Sequence, residues 1–280
     1  METITLVDGL CFGEGPRWRD GRLWLSDMHA QQVIAVDGDG HVQVVVEVPN
    51  LPSGLGWLPD GDLLIVSMRD RRVLRHDGAR LHTHADLSQL ASFDCNDMVV
   101  DVHGRAYVGN FGFDLHGGEA PRAAELICVE PDGTARIVAD DLLFPNGTVI
   151  TPDGNTLIVA ESWGGRLTAF DIDQAGNLSN RRDWAKLPDG AVPDGICLDS
   201  DGGIWTASPA TNECLRQIEG GTVTHRVPVN QGAFACMLGG DDGRSLFILT
   251  AGSSAPDACR AARSGRVELV TAPFPHAGWP

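Results

Sequence analysis

The sequence lacks a long apolar run and an excess of basic residues. No stretch approaches the length of about 20 apolar residues that a membrane-spanning helix needs, and the N-terminus METITLVDGL has no basic region like that of a secretory signal. A formal net charge of -17 leaves no basic patch for nucleic acid or an anionic membrane. We therefore predict a soluble, cytoplasmic protein that binds neither.

Thiol and serine motifs are missing as well. The seven cysteines are odd in number and form no C-x-x-C pair, which argues against a disulfide framework and a zinc-thiolate site. The sequence contains no G-x-S-x-G, so a serine nucleophile elbow is also excluded. Helical periodicity is weak, whereas 34 glycines and 16 prolines suit many short strands.

The feature that is present is a repeat. An apolar strand, a D-G or H-G turn and a second apolar strand recur six times. The turn residues before glycine are Asp20, Asp60, His103, Asp153, Asp201 and Asp242. Such a turn between apolar strands is a strong hairpin signal, and its spacing of 40 to 50 residues is typical of a propeller blade.

Each repeat has room for two further strands after its hairpin. Four-stranded sheets of this kind bury their faces when they pack radially, which also protects their edges. The predicted fold is therefore an all-β, six-bladed β-propeller with four-stranded blades, formed as one domain by residues 1–280. Strands at residues 4–7 and 266–271 are predicted to pair in one blade and close the ring.

The innermost strand of each blade begins at one face of the disk, so the residues at its start should converge on one mouth of the channel. These residues are predicted to be Glu14, Ser53, Asn96, Asn146, Asp194 and Cys236. Four of them carry carboxylate or amide oxygens. Polar groups placed so close together need partners.

A divalent cation held by Glu14, Asn146 and Asp194 is the partner that we favour. Hard cations take carboxylate and carbonyl oxygens, and a catalytic metal keeps open positions for water or substrate. P-N-G and P-D-G are also ordinary turn tripeptides, but their recurrence at the same blade position favours a metal site. The ion could be calcium, zinc, manganese, magnesium or iron(II).

Four motifs carry a family resemblance. GEGPRW with Glu14, the pair Asn96-Asp97, FPNG with Asn146 and VPDGICLDSDGGIWTA with Asp194 resemble, in order, the senescence-marker-protein, gluconolactonase and regucalcin-like family of six-bladed propellers. The resemblance implies a divalent metal on Glu14, Asn146 and Asp194, with Asn96 touching substrate or a water on the metal. It also implies hydrolysis of lactones, commonly sugar lactones.

Lactone opening requires a polarised carbonyl, an activated water and a stabilised oxyanion, all of which a metal ion can provide. Asp194 could also accept a proton from the attacking water, and the sequence leaves its roles as ligand and base open. Asn96 is suited to orient substrate or water through its uncharged amide. Asp194 and Asn96 are thus the predicted catalytic residues.

Substrate contacts are predicted around the third repeat. Sugar-lactonase relatives carry arginine two residues before the N-D asparagine, whereas this chain has Asp94, which favours a neutral lactone. An apolar pocket wall is predicted from aromatic residues near the mouth, although they could instead fill the core between blades: Phe111, Phe113, Phe144, Trp163 and Phe234. Glu119 and Arg122 are candidate lid contacts or residues of a solvated loop, and His116 is the histidine that could reach the mouth.

Other functions fit the same architecture. A metal-dependent aryl esterase or phosphotriesterase would use the cation on a related bond, and a non-enzymatic calcium-binding or interaction propeller would need no substrate pocket. The fold alone does not decide between them. We expect a small-molecule lactone as the partner and a monomer or small homo-oligomer as the state of assembly.

Overall fold

The computed structural model describes residues 2–280, which form six four-stranded antiparallel sheets. Blade 1 contains β2 (Gly13–Arg19), β3 (Arg22–Asp27), β4 (Gln32–Val36) and β5 (Val42–Glu47). Blade 2 contains β6 (Pro52–Trp57), β7 (Leu63–Ser67), β8 (Arg72–His76) and β9 (Leu81–Asp86). Blade 3 contains β10 (Cys95–Val100), β11 (Ala106–Asn110), β12 (Ala124–Val129) and β13 (Ala135–Leu142).

The second half of the chain repeats this order. Blade 4 contains β14 (Pro145–Ile150), β15 (Thr156–Glu161), β16 (Arg166–Ile172) and β17 (Leu178–Lys186). Blade 5 contains β18 (Ile196–Leu198), β19 (Ile204–Ser208), β20 (Glu213–Gln217) and β21 (Val223–Pro228). Blade 6 contains β22 (Gly232–Gly239), β23 (Ser245–Ala251), β24 (Gly265–Thr271) and β1 (Ile4–Leu10), and α1 (Pro256–Ala262) lies between β23 and β24. None of the helices described is long and apolar enough to cross a membrane.

The six sheets form the predicted propeller, with β2, β6, β10, β14, β18 and β22 innermost. Each innermost strand contacts its two neighbours, and β2 contacts β22, so the ring is closed. The predicted clasp is confirmed: Ile4 lies opposite Leu269, and Leu10 lies opposite Gly265. The first and last strands of the chain thus share one sheet.

The turns between first and second strands have the predicted geometry. All six turn glycines have positive φ, from 71° at Gly21 to 96° at Gly61, a conformation that suits tight hairpins. These turns lie at the end of the channel opposite the starts of the innermost strands. The C-terminal segment crosses this side, where Trp279 and Ile150 exchange backbone hydrogen bonds of 2.8 and 2.9 Å.

One predicted strand start is wrong. Strand β22 begins at Gly232, and its pairing with β23 is interrupted between Ala233 and Ala235, so Phe234 occupies the mouth position. Cys236 lies two residues deeper in the strand and is buried. The sequence misled because Ala235 stands where four of the other five blades have glycine, which removes the motif that marks the position.

Glycines behind the mouth residues let neighbouring innermost strands approach closely. A Cβ atom on Gly147 would lie 2.5 Å from the backbone nitrogen of Ile196 and 2.7 Å from the carbonyl oxygen of Asp194. Nothing lies within 4 Å of a Cβ added to Gly38, in an exposed turn. The close approach of blades 4 and 5 therefore requires glycine at position 147, whereas the turn at position 38 has room for a side chain.

Gly147→Ala is expected to lower the free energy of unfolding by about 1–3 kcal/mol, because the methyl group overpacks backbone against backbone. The matched variant Gly38→Ala should be neutral or stabilise by up to about 1 kcal/mol. Urea unfolding of both variants tests this, and equal midpoints would contradict the close approach of blades 4 and 5.

Candidate metal and substrate site

Four predicted residues meet at one mouth of the channel. Glu14, Asn96 and Asn146 are each the second residue of an innermost strand, and Asp194 lies two residues before β18. All four line one cavity of about 240 Å³. A one-residue bulge interrupts the pairing beside the first three, and bulges of this kind re-aim side chains near functional sites.

The two acids at the channel mouth, Glu14 and Asp194, are close to each other in a buried environment that disfavours their negative charges. Burial raises the pKa of Glu14 well above its usual value, and the carboxylates of Asp194 and Asp97 raise it further. Burial also raises the pKa of Asp194 well above its usual value. Among residues 2–280, Oδ1 of Asp194 is sealed from solvent and has no hydrogen-bond partner. Such a group is costly to bury unless something binds it.

Asn146 is oriented by a neighbouring hydroxyl. Its Nδ2 donates to Oγ of Ser162 at 3.2 Å, and that hydroxyl donates to the carbonyl oxygen of Pro193 at 2.7 Å. Since the amide nitrogen is used in this way, its oxygen is left to act as an acceptor. Ser162 thus links the asparagine of blade 4 to the segment that carries Asp194.

This donor set fits a hard divalent cation. Two carboxylates would balance the charge of the ion, and the amide oxygen would add a neutral ligand. The partnerless oxygen of Asp194 and the clustered charge of Glu14 and Asp194 are the structural observations behind this fit. Glu14, Asn146 and Asp194 would therefore hold the ion.

Ser162→Ala should weaken metal affinity by about 10- to 100-fold, as expected when an outer partner that orients a ligand is lost. The exposed Ser179 on β17 provides a matched control, and Ser179→Ala should leave affinity unchanged. Isothermal titration with manganese compares the three proteins. Identical affinities would show that Ser162 does not orient Asn146.

Asn96 is held between two neighbouring blades. Its Nδ2 donates to the carbonyl oxygen of Pro145 at 3.3 Å, and Oγ of Ser53 donates to its Oδ1 at 3.5 Å. The side chain is buried yet lines the cavity. Its second amide hydrogen remains available for a ligand.

Asp97 has a structural partner of its own. Nη2 of Arg17 donates to its Oδ1 at 2.8 Å, and both side chains are buried. Arg17 also donates to the carbonyl oxygens of Leu55 and Pro16, at 2.9 and 2.8 Å. This ion pair neutralises Asp97, one of three carboxylates near the channel mouth, and within residues 2–280 neither Glu14 nor Asp194 has a salt bridge of its own.

Aromatic side chains form two walls of the cavity. Phe111 stacks on Phe144 with ring centroids 4.3 Å apart, and Phe12 packs edge-on against Phe234 at 4.7 Å. Phe113 is 1% exposed and does not line the cavity. It packs behind the first wall, 5.8 Å from the ring of Phe144, so aromatic residues here fill both the wall and the core.

Only some of the residues predicted for the rim line the cavity. Asp94 lines the cavity and is half-buried, and burial raises its pKa. His116 also lines the cavity. Glu119 and Arg122 lie outside it on the exposed part of the loop, where they pair with each other at 3.0 Å. The structure therefore brings the tip of this loop, and not its far side, to the cavity.

Several lining residues had no signal in the motifs. The loops between second and third strands of the blades contribute Met28, His29, Met68, Arg69, Leu115, Pro209, Ser254 and Pro256, in addition to the predicted Trp163. Of these, His29 is 5% exposed, and its Nδ1 has no partner among residues 2–280. The second strand of each blade runs back to the mouth of the channel. The residues that directly follow this strand in the sequence could therefore have been predicted to line the cavity.

A second acidic cluster lies on the opposite face. Ligand atoms of Asp37, Asp39 and His41 lie within 4.8 Å of one another. Asp37 accepts the backbone N–H groups of Asp39 and His41 at 3.0 and 2.9 Å, and pairs with the His41 ring. The turn between β4 and β5 therefore already uses these groups.

Comparisons with known proteins agree with the geometry. A family model described as SMP-30/Gluconolactonase/LRE-like region matches residues 12–252. The chain is 27% identical over 258 residues to pentonolactonase XacC of Haloferax volcanii, covering 90% of this chain and 86% of that protein. It is 27% identical over 286 residues to regucalcin of Gallus gallus, covering 95% of each. A solved gluconolactonase, XC5397 from Xanthomonas campestris, matches with a TM-score of 0.78 and 25% identity, over 97% of this chain and 89% of that chain.

The family match spans the ring from blade 1 into the second strand of blade 6. The matched range includes Glu14, Asn96, Asn146 and Asp194. The resemblance drawn from the motifs is confirmed, and the chain belongs to the SMP-30/gluconolactonase/LRE-like family.

Proposed function

We propose that the protein is a metal-dependent lactonase that opens a neutral lactone. The observation that carries this proposal is the partnerless, buried oxygen of Asp194 beside the buried carboxylate of Glu14, at the channel mouth, which forms the floor of the cavity. Relatives named pentonolactonase and gluconolactonase support the same reaction. One divalent cation on Glu14, Asn146 and Asp194 would complete the site.

When bound, such a cation supplies Lewis acidity toward the lactone carbonyl and lowers the pKa of a water molecule. Asp194 is the proposed base, and a carboxylate oxygen of this residue takes the proton of the attacking water. Burial makes that carboxylate more basic. The free amide hydrogen of Asn96 is placed to donate to the substrate and hold its carbonyl in position.

The rim is consistent with a substrate that carries no negative charge. Asp94 and Arg69 both border the cavity, so the rim carries one charge of each sign and gives a carboxylate-bearing lactone no net attraction. Contacts from Phe113, Glu119 and Arg122 would require a rearrangement of the loop, since none of the three lines the cavity. Asp94 and Asn96 are therefore the substrate contacts that we retain in the proposal.

A lactone and ester panel tests the function. Chelator-treated protein, with and without added calcium, zinc or manganese, is assayed against neutral lactones, aryl esters and a phosphotriester. We expect lactone opening that chelation abolishes and one of the metals restores. Faster cleavage of the aryl ester or phosphotriester would establish the rival esterase, and metal binding without any turnover would establish the non-enzymatic alternative.

A further inference from the structure

The walls above the proposed metal site are mainly apolar. Six large apolar side chains surround the cavity: Phe12, Met68, Phe111, Phe144, Trp163 and Phe234. The polar groups of the proposed metal site, Glu14, Asn96, Asn146 and Asp194, lie on the floor, and the other polar residues of the lining are His29, Arg69, Asp94, His116, Ser162 and Ser254. A ligand bound here thus meets a cluster of polar groups at one end and aromatic surfaces along much of its sides.

These walls are built before any ligand arrives. Phe144 is stacked on Phe111 and supported from behind by Phe113, which is almost fully buried. Phe12 and Phe234 hold each other edge-on across the blade 6 to blade 1 junction. Rigid aromatic surfaces of this kind bind apolar groups with little loss of side-chain freedom.

A polyhydroxylated ring fits such walls poorly. A sugar lactone carries hydroxyl groups around its ring, and each hydroxyl that loses water without finding a partner weakens binding. An alkyl or aryl substituent instead strengthens binding with each methylene that it buries. The chemistry of the walls therefore discriminates between these two kinds of lactone.

The size of the cavity also leaves room for a substituent. Its volume of about 240 Å³ exceeds the roughly 150 Å³ of an apolar cavity that holds benzene. A lactone ring seated on the floor thus leaves space beside the aromatic walls. The cavity opens to solvent at the half-exposed Trp163, where a longer chain can extend.

We infer that the substrates of this site are lactones with an apolar alkyl or aryl substituent, and that the aromatic walls select for that substituent. This inference rests on the proposed lactonase function and adds the class of substrate. The ester carbonyl lies at the polar floor, and the substituent lies between the walls formed by Phe111 and Phe144 and by Phe12 and Phe234.

The test is a homologous series of γ-lactones whose unbranched side chain grows from methyl to octyl, compared with glucono-δ-lactone. The metal-loaded enzyme should show kcat/KM rising about two- to fourfold per methylene until the cavity is filled, the upper value corresponding to full burial of each group. Trp163→Gln should flatten this rise. The matched variant Val102→Gln, at an exposed valine on the opposite face, should leave it unchanged.

Binding of 3-alkylcyclopentanones, which carry the side chain at the position of the γ-lactone series and cannot be hydrolysed, separates the substrate class from the reaction. Their affinity should rise over the same chain lengths. If kcat/KM did not rise along the γ-lactone series and glucono-δ-lactone were opened faster, the inference would be overturned and the lactonase function would stand. Rising ketone affinity without opening of any lactone would overturn the function and leave the apolar ligand class standing. Flat ketone binding without any turnover would overturn both.

Discussion

Glu14→Gln and Asp194→Asn are each expected to abolish tight metal binding and lactone opening while the propeller stays folded. Both residues sit at the channel mouth and line the cavity, so an amide of equal size opens no gap in the core. Loss of an outer partner of a ligand already lowers activity or affinity by about 10- to 100-fold. Loss of a ligand itself should exceed that.

Unfolding measurements show whether the acids act through a cation. Wild-type protein should gain about 2.7 kcal/mol when the metal is at 100 times its Kd, whereas either variant should gain almost nothing. Without metal, the variants should be no less stable than the wild type, because they remove one of three carboxylates buried near one another. A variant that kept full turnover would refute its assignment as a ligand.

Arg17→Met should cause the largest loss of stability among the single substitutions considered. The guanidinium is buried, pairs with Asp97 at 2.8 Å and donates to backbone carbonyls of two blades. Its removal leaves a buried carboxylate unpaired, close to Glu14 and Asp194. Breaking a buried pair in this way costs about 3–5 kcal/mol, which urea unfolding of the metal-free protein would measure.

Two further variants separate the ion pair from a general effect of the substitution. Arg182 pairs with Asp171 at 2.7 Å, with both side chains more than a third exposed, so Arg182→Met should change stability by at most about 1 kcal/mol. Adding Asp97→Asn to Arg17→Met should recover part of the loss, because the unpaired charge is gone. If Arg17→Met and Arg182→Met lowered the free energy of unfolding equally, burial of the Arg17–Asp97 pair would not explain the loss.

The ring could be predicted because its signals are local. Each D-G or H-G turn needs positive φ at one glycine, and every such glycine has it in the structure. Glu14, Asn96 and Asn146 were found because G-E-G-P, N-D and P-N-G stand at the same place in their repeats, where each innermost strand begins. Phe234 was expected near the mouth, but the start of the innermost strand of blade 6 was placed at Cys236, because Ala235 stands where four other blades have glycine.

The rest of the site depends on contacts that no local pattern contains. Arg17 and Asp97 lie 80 residues apart, and their pairing follows from the meeting of innermost strands. His29 and Trp163 come from short connections whose sequences share no motif, although both follow a second strand that returns to the mouth. The loop after β11 was recognised as a lid candidate, but the sequence could not show that His116 faces inward and Glu119 outward.

A crystal soaked in manganese, with diffraction data collected at the manganese absorption edge, locates the cation directly. We predict one anomalous peak at the channel mouth, in contact with carboxylate oxygens of Glu14 and Asp194 and with the amide oxygen of Asn146. A mouth without a peak in catalytically active protein, or a peak confined to the exposed Asp37–His41 turn, would contradict the metal centre on which the proposed reaction depends.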